Sequence, residues 1–464
     1  MSLISHKIDR RTALGGLLGL IGLGASRSPD VFRLATFSAD VTIPLGHACM
    51  GGGIAPAREV VDSLFARGLV LISDSAPLVV VALDWCEVRN EAHDRWRSAL
   101  AEAAGTQPER VLVSSVHQHD APVVDLEAER LLRASGSMGS VCDLDFHEKA
   151  ISRVAAAVRE SLASSRRITH IGTGKARVDQ VASNRRYLTP DGRPSFGRTS
   201  ATRDPIVRDQ PEGTIDSWLR SLSFWDGDRP LCVLSVYAVH PMSHYGQGRV
   251  SADFPGLARK RREEESGVFQ VYASGCSGNV TAGKYNDGSP ENRPVLAERL
   301  RDGMAAAFAA TSRHPCENVA FRSVPYTLPP RDGPGFTEED LKRRLREGPK
   351  PFDQCLAAMG LSWRKRCESG RELDLPAIDI GPATLLLLPG ESYVEFQLNA
   401  QRMRPDRFVM TLGYGECGTG YVPVEKAVEE NDTNLHDWCW VAPGAEARLT
   451  QAIKAALGPS RPGT

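Results

Sequence analysis

Short apolar runs alternate with longer amphipathic stretches along most of the chain. Runs rich in β-branched and aliphatic residues predict strands, and stretches with apolar residues three and four positions apart predict helices. Alternation of the two is typical of an α/β fold, and we expect a mixed sheet. The predicted strands cover residues 69–71, 77–83, 111–116, 231–239, 268–273, 383–388 and 408–412, and the predicted helices cover residues 95–104, 146–162 and 294–309.

Two other segments have a recognisable local signal. Thr337-Glu338-Glu339-Asp340 resembles a capping box, so a helix is predicted to begin there and to end near residues 348–349. Residues 185–215 are rich in Arg, Pro, Gly, Ser and Asp and predict a long loop, which in a compact domain is often functional. The sequence shows no internal repeat.

The first 28 residues differ from the rest of the chain. Arg10 and Arg11 precede an apolar stretch at residues 13–23, and small residues follow at 24–26. That stretch is shorter than the roughly 20 residues that span a bilayer. The pattern predicts a secretory signal of the twin-arginine type, and hence a mature protein exported to the periplasm or medium. The alternative is an ordinary amphipathic tail. No later segment reaches transmembrane length.

Composition narrows the class of protein. Hydrophobic residues make up 41% and charged residues 24% of 464 positions, which suits a soluble globular chain of one large domain or two to three smaller ones. The formal net charge of −1 favours neither nucleic acid nor an anionic membrane as a partner. The basic run at residues 259–262, followed by acidic residues 263–265, is interpreted as a solvated helix face. Ten cysteines permit disulfides in an exported protein, but no Cys-x-x-Cys pair indicates a cysteine zinc site.

Reactive side chains follow several of the predicted strands. Open α/β sheets bind ligands beyond the carboxyl ends of their strands. We therefore expect these groups to share one cavity: His117 and His119 after residues 111–116, His240 and His244 after 231–239, Ser277 and Asn279 after 268–273, Glu391 after 383–388, and a glycine-rich segment at 413–421 after the last strand.

Two histidines and a carboxylate suffice for a catalytic zinc ion, which leaves one position for water and lowers the pKa of that water to about 7. His117 and His119 are two residues apart, so in an extended chain both can face the cavity. Each residue also has an ordinary interpretation. A histidine after a strand is often a hydrogen-bonding loop residue, and Glu391 can simply lie near the positive end of a helix dipole.

An ordered set of segments resembles the neutral, non-lysosomal ceramidase family over residues 35–430. Val116-His-Gln-His-Asp-Ala-Pro122 resembles the family's His-Thr-His-Ser-Gly-Pro motif, and Gly420-Tyr-Val-Pro423 matches its Gly-Tyr-Val-Pro segment. Further segments follow in the family's order at residues 40–44, 50–52, 62–71, 81–84, 184–186, 213–216, 240–243, 251–256, 275–282 and 389–391. The resemblance implies an amide hydrolase that acts on an N-acylated, ceramide-like substrate by metal-activated water.

The resemblance also implies roles for individual residues. His119 would hydrogen-bond the reacting carbonyl or pass a proton, Arg185 would stabilise the oxyanion, Thr281 stands where the family has a catalytic serine, and Asp253 would orient a histidine. Residues 35–458 would form the catalytic domain without the family's C-terminal β-sandwich domain. The zinc ligands implied are His117, His240, Glu391 and Tyr421.

Some positions depart from the family pattern. The family's Gly-Asp-Val-Ser-Pro is Gly278-Asn279-Val280-Thr281-Ala282 here, and Asp120-Ala121 replaces Ser-Gly. These changes leave two alternatives open. One is a serine hydrolase that uses Ser277, although its surroundings lack the last glycine of Gly-x-Ser-x-Gly. The other is a binding protein that kept the fold without activity.

Overall fold

A computed structural model of the protein describes residues 32–459, so the predicted signal at residues 1–28 lies outside the described residues. Three larger sheets organise the described chain. The N-terminal sheet contains Arg33–Asp40, Phe65–Ile72, Leu78–Leu83, Val111–Ser115 and Arg166–Arg167; the central sheet contains His170–Arg177, Trp218–Asp226, Arg229–Tyr237, Phe269–Ser274 and Ser312–Pro315; the C-terminal sheet contains Val319–Tyr326, Leu373–Ile380, Ala383–Leu387 and Phe408–Leu412.

Helices and short paired strands connect and cover these sheets. The α-helices of the described residues are Asn90–Ala104, Leu126–Ser135, Leu144–Ala163, Pro205–Asp209, Asp253–Ser266, Asn292–Ala309, Glu338–Glu347, Pro351–Glu368, Val394–Met403, Glu425–Glu429 and Ala445–Leu457. Two-residue strands pair Glu59–Val60 with Arg249–Val250, Glu87–Val88 with Val123–Val124, Ser183–Asn184 with Val280–Thr281, Tyr187–Leu188 with Pro194–Ser195, and Glu391–Ser392 with Tyr421–Val422.

All three sheets repeat one topology. In each, the first four strands lie side by side in chain order, the first three are antiparallel, and the fourth runs parallel to the third. A helix connects the third strand to the fourth: Asn90–Ala104, Asp253–Ser266 or Val394–Met403. The sheets are therefore mixed, as predicted from the alternation of strands and helices. The three sheets show no recognisable repeat of residues in the sequence. Their strands share only the apolar pattern.

The strand patterns follow from burial on both faces of the sheets. Every residue of Leu78–Leu83 is buried, as is every residue of Ala383–Leu387, which explains their unbroken apolar runs. Alternate residues of Leu78–Leu83 enter different cores. Val79 and Val81 pack in the core that holds Trp96, whereas Val80 packs with Leu234 of the central sheet. The N-terminal sheet thus lies between two hydrophobic cores and holds its strand ends rigidly.

Several local predictions can be compared with the structure. The Thr337 hydroxyl caps Glu338–Glu347 by accepting from the Asp340 amide at 3.1 Å, so this helix start is confirmed. The loop predicted at residues 185–215 is wrong in part, because it contains a small hairpin and the helix Pro205–Asp209, capped by Asp204. The helix Pro351–Glu368 was not predicted. The ten cysteines, all within the described residues, are unpaired.

The basic run after residue 258 is not simply a solvated face. Arg259 is buried and donates two hydrogen bonds of 2.7 Å to the Asp84 carboxylate. This pair fixes the helix Asp253–Ser266 against the end of the strand Leu78–Leu83, because a buried guanidinium requires a carboxylate partner. Among residues 32–459, no helix combines the length and the apolar character needed to cross a bilayer.

Candidate metal centre

The carboxyl ends of the three sheets meet at one place. The Ser115 amide donates to the Tyr414 carbonyl at 2.9 Å, and the Gly413 amide donates to the Ser274 carbonyl at 2.9 Å. The Ser274 hydroxyl donates to the Val116 carbonyl at 2.8 Å. These bonds join the ends of strands from the N-terminal, central and C-terminal sheets. The loops that follow those strands therefore converge on one point.

His117 is held in an uncommon backbone conformation at this junction. Its φ angle is 78°, which is rare for a residue other than glycine and is typical of functional sites. Its Nδ1 lies 2.8 Å from the Cys86 carbonyl oxygen, and its ring stacks on Tyr414 with centroids 4.3 Å apart. The ring is thereby fixed with Nε2 pointing away from the backbone.

His240 and Glu391 complete the group. His240 Nδ1 lies 2.6 Å from the Ser277 carbonyl oxygen, so this ring is also held by the backbone. Glu391 Oε2 lies 2.9 Å from His240 Nε2 and 3.3 Å from His117 Nε2. All three side chains are buried.

The atoms at this point fit a metal ion. Both Nδ1 atoms face carbonyl oxygens and carry the ring protons, so both Nε2 atoms present lone pairs. These lone pairs face a carboxylate oxygen, and His117 Nε2 has no hydrogen-bond partner within the described structure. Burial raises the pKa of Glu391, but the two histidines outweigh it and hold that pKa well below its usual range. Burial lowers the pKa of His240 to about 4, an effect that Arg185 reinforces. Burial lowers the pKa of His117, but the Glu391 carboxylate outweighs burial and raises it. The ionised carboxylate and the two Nε2 atoms thus converge where a positive charge, carried by a proton or a metal ion, would satisfy them.

Tyr421 lies beside this group because its strand pairs with that of Glu391. The strands Glu391–Ser392 and Tyr421–Val422 are parallel, with Glu391 opposite Tyr421. Arg185 Nη1 donates to the Tyr421 hydroxyl at 2.6 Å, and Arg185 Nη2 lies 3.4 Å from His240 Nε2. Burial raises the pKa of Tyr421 above its ordinary value, and the opposing effect of the Arg185 guanidinium is smaller. A phenol oxygen therefore stands next to the three converging groups.

A chain of buried and half-buried polar groups holds Arg185. Its Nη1 also donates to Asn434 Oδ1 at 3.2 Å, and Asn434 Nδ2 donates to Asp432 Oδ1 at 2.7 Å. The second oxygen of Asp432 accepts from the Tyr393 hydroxyl at 2.6 Å. Each member restricts the next, so the guanidinium has one position at the cavity wall.

Replacing Asn434 with alanine should lower the kcat of any reaction that uses Arg185 by about 10–100-fold, because residues that orient a reacting group have effects of this size. Any bound metal should be retained, since Asn434 contacts Arg185 rather than the histidines. Steady-state kinetics with metal analysis measures both. Thr433→Ala, at the neighbouring cavity residue, is the matched control. An unchanged kcat in the Asn434 variant would contradict this role.

His119 lies beside His117 and faces the same cavity. Its ring centroid is 5.0 Å from that of His117 and 5.0 Å from that of Tyr245. Burial, followed by the neighbouring His117 and His240, lowers its pKa well below the usual value. His119 Nδ1 is buried without a hydrogen-bond partner among residues 32–459. The ring is therefore neutral and can both donate and accept a proton.

The cavity above these groups has a volume of about 290 Å³. His117, His119, Arg185, Glu391 and Tyr421 line it, whereas the fully buried His240 does not. Its other lining residues include both apolar and polar side chains. Thr199 and Ser200 belong to the segment at residues 185–215 that the sequence marked as functional, whereas no sequence signal assigned a site role to Met50, Phe352, Leu356 and Trp438 among the apolar residues, or to Asn434 and Asp437 among the polar ones.

Solved structures resemble the fold that builds this cavity. A neutral ceramidase from Pseudomonas aeruginosa superposes with a TM-score of 0.66 at 18% sequence identity, over 94% of this chain and 76% of that chain. A ceramidase complexed with C2 superposes with a TM-score of 0.68 at 17% identity, over 94% of this chain and 77% of the other. The chain has the neutral ceramidase fold. Neither a protein-family model nor a curated protein sequence matches it.

Within this ceramidase fold, Thr281 does not line the cavity. Its hydroxyl is buried, donates to the Thr199 carbonyl at 2.8 Å and accepts from the Gly283 amide at 3.2 Å. Thr199 itself lines the cavity. The hydroxyl thus fixes a segment of the cavity wall.

Thr281→Ala should destabilise the protein by about 1–3 kcal/mol, because the buried Gly283 amide and the Thr199 carbonyl lose a partner. Any hydrolytic activity should fall by less than the roughly 10²–10⁴-fold that loss of a proton-transfer group causes. Thermal unfolding and kcat measure the two effects, and Thr281→Ser should restore both. A loss of activity near the upper end of that range in a folded Thr281→Ala protein would assign the hydroxyl to catalysis instead.

Asp253 does not orient a histidine, so that expectation is wrong. One carboxylate oxygen accepts from the Ser243 amide at 3.0 Å, and the other accepts from the Ser243 hydroxyl. Backbone carbonyls of Cys86 and Ser277 orient the histidines instead. Carbonyl oxygens serve this purpose as well as carboxylates do, and sequence motifs do not reveal them.

Proposed function

We propose that the chain is a zinc-dependent hydrolase that cleaves the amide bond of an N-acylated, ceramide-like substrate. One observation carries the proposal: two buried histidine Nε2 atoms converge on one buried oxygen of Glu391, at 2.9 and 3.3 Å, with the Tyr421 hydroxyl beside them. Nitrogen and carboxylate ligands of this kind suit zinc. The ligands would be His117, His240, Glu391 and Tyr421.

A zinc ion bound there would lower the pKa of a water molecule to about 7 and so supply a nucleophile at neutral pH. The chain's own residues do the rest. Arg185 places its guanidinium at the cavity wall, where charge develops on the carbonyl oxygen, and a fixed cation in a dry site stabilises that charge strongly. His119 is neutral and faces the cavity, so it can accept the proton that the attacking water loses and then pass that proton to the leaving amine.

The cavity walls support an N-acyl substrate. Phe352, Leu356 and Met50 offer apolar area for an acyl chain, and Thr199, Ser200 and Asn434 offer hydrogen-bonding groups for a polar amine. A small-molecule or lipid amide combines these two parts. The names of the two similar solved proteins, both ceramidases, point to the same class.

The departure at Asn279 has a structural explanation that does not require loss of activity. Its Nδ2 donates to Glu395 at 2.9 Å, and its Oδ1 accepts from the Val394 amide at 2.9 Å. An ionised aspartate at this position could accept the Val394 bond but could not donate to Glu395. Asn279 therefore holds the start of the helix Val394–Met403, next to Glu391, and the change from aspartate supports the site.

The contacts of Ser277 oppose a serine hydrolase. Its hydroxyl is buried, lies 2.7 Å from the Tyr414 hydroxyl and donates to the Gly275 carbonyl at 3.3 Å. A nucleophilic serine requires a histidine base within hydrogen-bond reach and a path to substrate. Ser277→Ala should therefore keep its zinc, and resistance of the wild type to chelators would favour the serine mechanism.

We propose in addition that the protein acts outside the cytoplasm. The paired arginines, the apolar stretch at residues 13–23 and the small residues after it support export by the twin-arginine route. Replacing Arg10 and Arg11 with lysine should retain the protein in the cytoplasm, which fractionation of the expressing cells would detect. Export of that variant at the wild-type level would contradict the route.

Elemental analysis of the purified protein tests the metal centre. The wild type should contain one more zinc per chain than His117→Ala, because that variant removes a ligand held by the Cys86 carbonyl and by stacking on Tyr414. Equal zinc content in the two proteins would reject this centre.

A further inference from the structure

A second group of metal-ligating side chains lies away from the proposed zinc centre. His93 and Asp94 belong to the helix Asn90–Ala104, and Glu416 belongs to the loop that follows Phe408–Leu412. One ligand atom from each of the three lies within 4.8 Å of the others, and all three residues are buried. No step of the proposed hydrolysis uses them.

His93 and Glu416 line a small cavity with a volume of about 20 Å³. That space holds one water molecule or one metal ion and excludes a larger ligand. The cavity is also lined by Leu388 and Pro389, which precede Glu391 in the chain, and by Tyr326. The second group thus lies directly behind the segment that carries Glu391.

Several atoms that face this cavity lack partners. His93 Nδ1, Glu416 Oε2, the Tyr326 hydroxyl and Arg366 Nε are buried without a hydrogen bond in the described structure, and all four residues line the cavity. The exposed fractions of His93 and Glu416 are 5% and 7%. Buried polar atoms are rarely left unsatisfied, so an unpaired nitrogen, carboxylate oxygen and phenol oxygen around one cavity indicate a bound species.

The distances suit two ligands of one ion. His93 Nδ1 lies 3.8 Å from Glu416 Oε2, which is too long for a hydrogen bond. Two ligands that each lie about 2.1 Å from one ion can be up to about 4.2 Å apart. Both side chains are already fixed at their other ends. His93 Nε2 lies 3.4 Å from the Val113 carbonyl oxygen, and Glu416 Oε1 accepts from the Asn90 amide at 2.6 Å and the Gly418 amide at 2.7 Å.

The surrounding charges leave little excess negative charge to attract an ion. Arg366 donates to Asp94 at 2.7 Å and lies 3.8 Å from Glu416 Oε2, and Arg371 lies 3.1 Å from Asp94. These guanidinium groups balance the two carboxylates, so an ion must gain its affinity from ligand bonds rather than from excess negative charge. An imidazole ligand favours a zinc-type cation over magnesium or calcium, which prefer oxygen ligands.

We propose that His93, Asp94 and Glu416 form a second site for one zinc-type divalent cation, separate from the proposed catalytic centre. The ion ties the helix Asn90–Ala104 to the loop at residues 413–420. That loop in turn holds the segment before Glu391, because the Gly390 amide donates to the Glu416 carbonyl at 2.9 Å and the Tyr414 amide donates to the Gly390 carbonyl at 3.1 Å. The second ion is therefore structural and braces the position of Glu391.

The test uses a full chain in which the catalytic centre is removed by His117→Ala and His240→Ala. After chelation, zinc chloride alone is added and unbound zinc is removed by gel filtration. This double variant should retain one zinc per chain, and zinc should raise its Tm. Adding Glu416→Gln should remove both effects, since the amide keeps the Oε1 contacts but loses the ligand charge. Glu429→Gln, at an exposed glutamate of the same region, is the matched control and should keep both.

A double variant that retains no zinc and shows no change in Tm would overturn the second site and leave the cavity to water. A measurement on the wild type avoids any doubt about folding of variants. Anomalous scattering at the zinc edge, from crystals of the wild type soaked in zinc chloride, should show a peak between His93 and Glu416, and a map without that peak would also overturn the site. Failure of the catalytic centre alone would leave this peak and remove the one beside Glu391.

Discussion

His240→Ala is expected to lose the proposed catalytic zinc and at least about 10³-fold in kcat/KM, because a catalytic metal contributes several kcal/mol to the transition state. The physical reason is specific to this position. His240 is buried, its Nδ1 is held by the Ser277 carbonyl, and its Nε2 lies 2.9 Å from Glu391. In the alanine variant, no neighbouring side chain replaces the lost nitrogen ligand. Metal analysis and steady-state kinetics on the same preparation measure both losses.

His244→Ala is the matched control, since His244 belongs to the same segment and its Nδ1 faces the Gly288 carbonyl at 3.0 Å. That variant should keep its zinc and its activity within a small factor. A His240→Ala protein with full zinc content and full turnover would contradict the proposed ligand set.

Arg185→Ala is expected to lower kcat by about 10²–10³-fold while zinc remains bound, because removing one donor from an oxyanion site has an effect of this size. Arg185 is buried at the cavity wall and its guanidinium is positioned by Tyr421 and Asn434. Arg185→Lys should recover only part of the lost kcat. The ammonium group keeps the positive charge but lacks the planar set of N–H donors with which a guanidinium binds several acceptors at once. The measurement is kcat together with zinc content for each variant.

Arg186→Ala serves as the neighbouring control. Arg186 forms an ion pair with Glu430, with Nε 2.5 Å from a carboxylate oxygen, and does not line the cavity. Its loss should leave kcat within a few-fold of the wild type. If Arg185→Ala and Arg186→Ala have equal effects on kcat, then Arg185 has no special role in stabilising the transition state.

The fold class and the position of the candidate metal-binding residues could be predicted from the sequence for one physical reason. Strands buried on both faces read as unbroken apolar runs, and reactive residues directly after such runs lie at the carboxyl edge of a sheet. His117, His240 and Glu391 follow runs of this kind and lie together in the structure. Their meeting point depends on contacts between three sheets, for which only the family resemblance gave a guide.

Other features depend on contacts that leave no local pattern. Tyr421 is placed beside Glu391 by a two-residue parallel strand pair, and Arg185 is held by Asn434 from a distant segment. Trp438, to which no sequence motif assigned a role, lines the cavity, and its Nε1 donates to the buried Glu87 at 3.1 Å. The repeated sheet topology is likewise invisible in the sequence, because many apolar sequences satisfy the same strand pattern.

Release of free amine from a panel of N-acyl amides tests the central claim most directly. The panel should vary the acyl chain and include ceramides, and each amide is measured with chelated protein, with zinc-restored protein and with zinc-restored His117→Ala. The expected result is amine release only by the zinc-restored wild type. Equal release by the chelated protein, or no release from any amide by a protein that holds its zinc, would contradict the account.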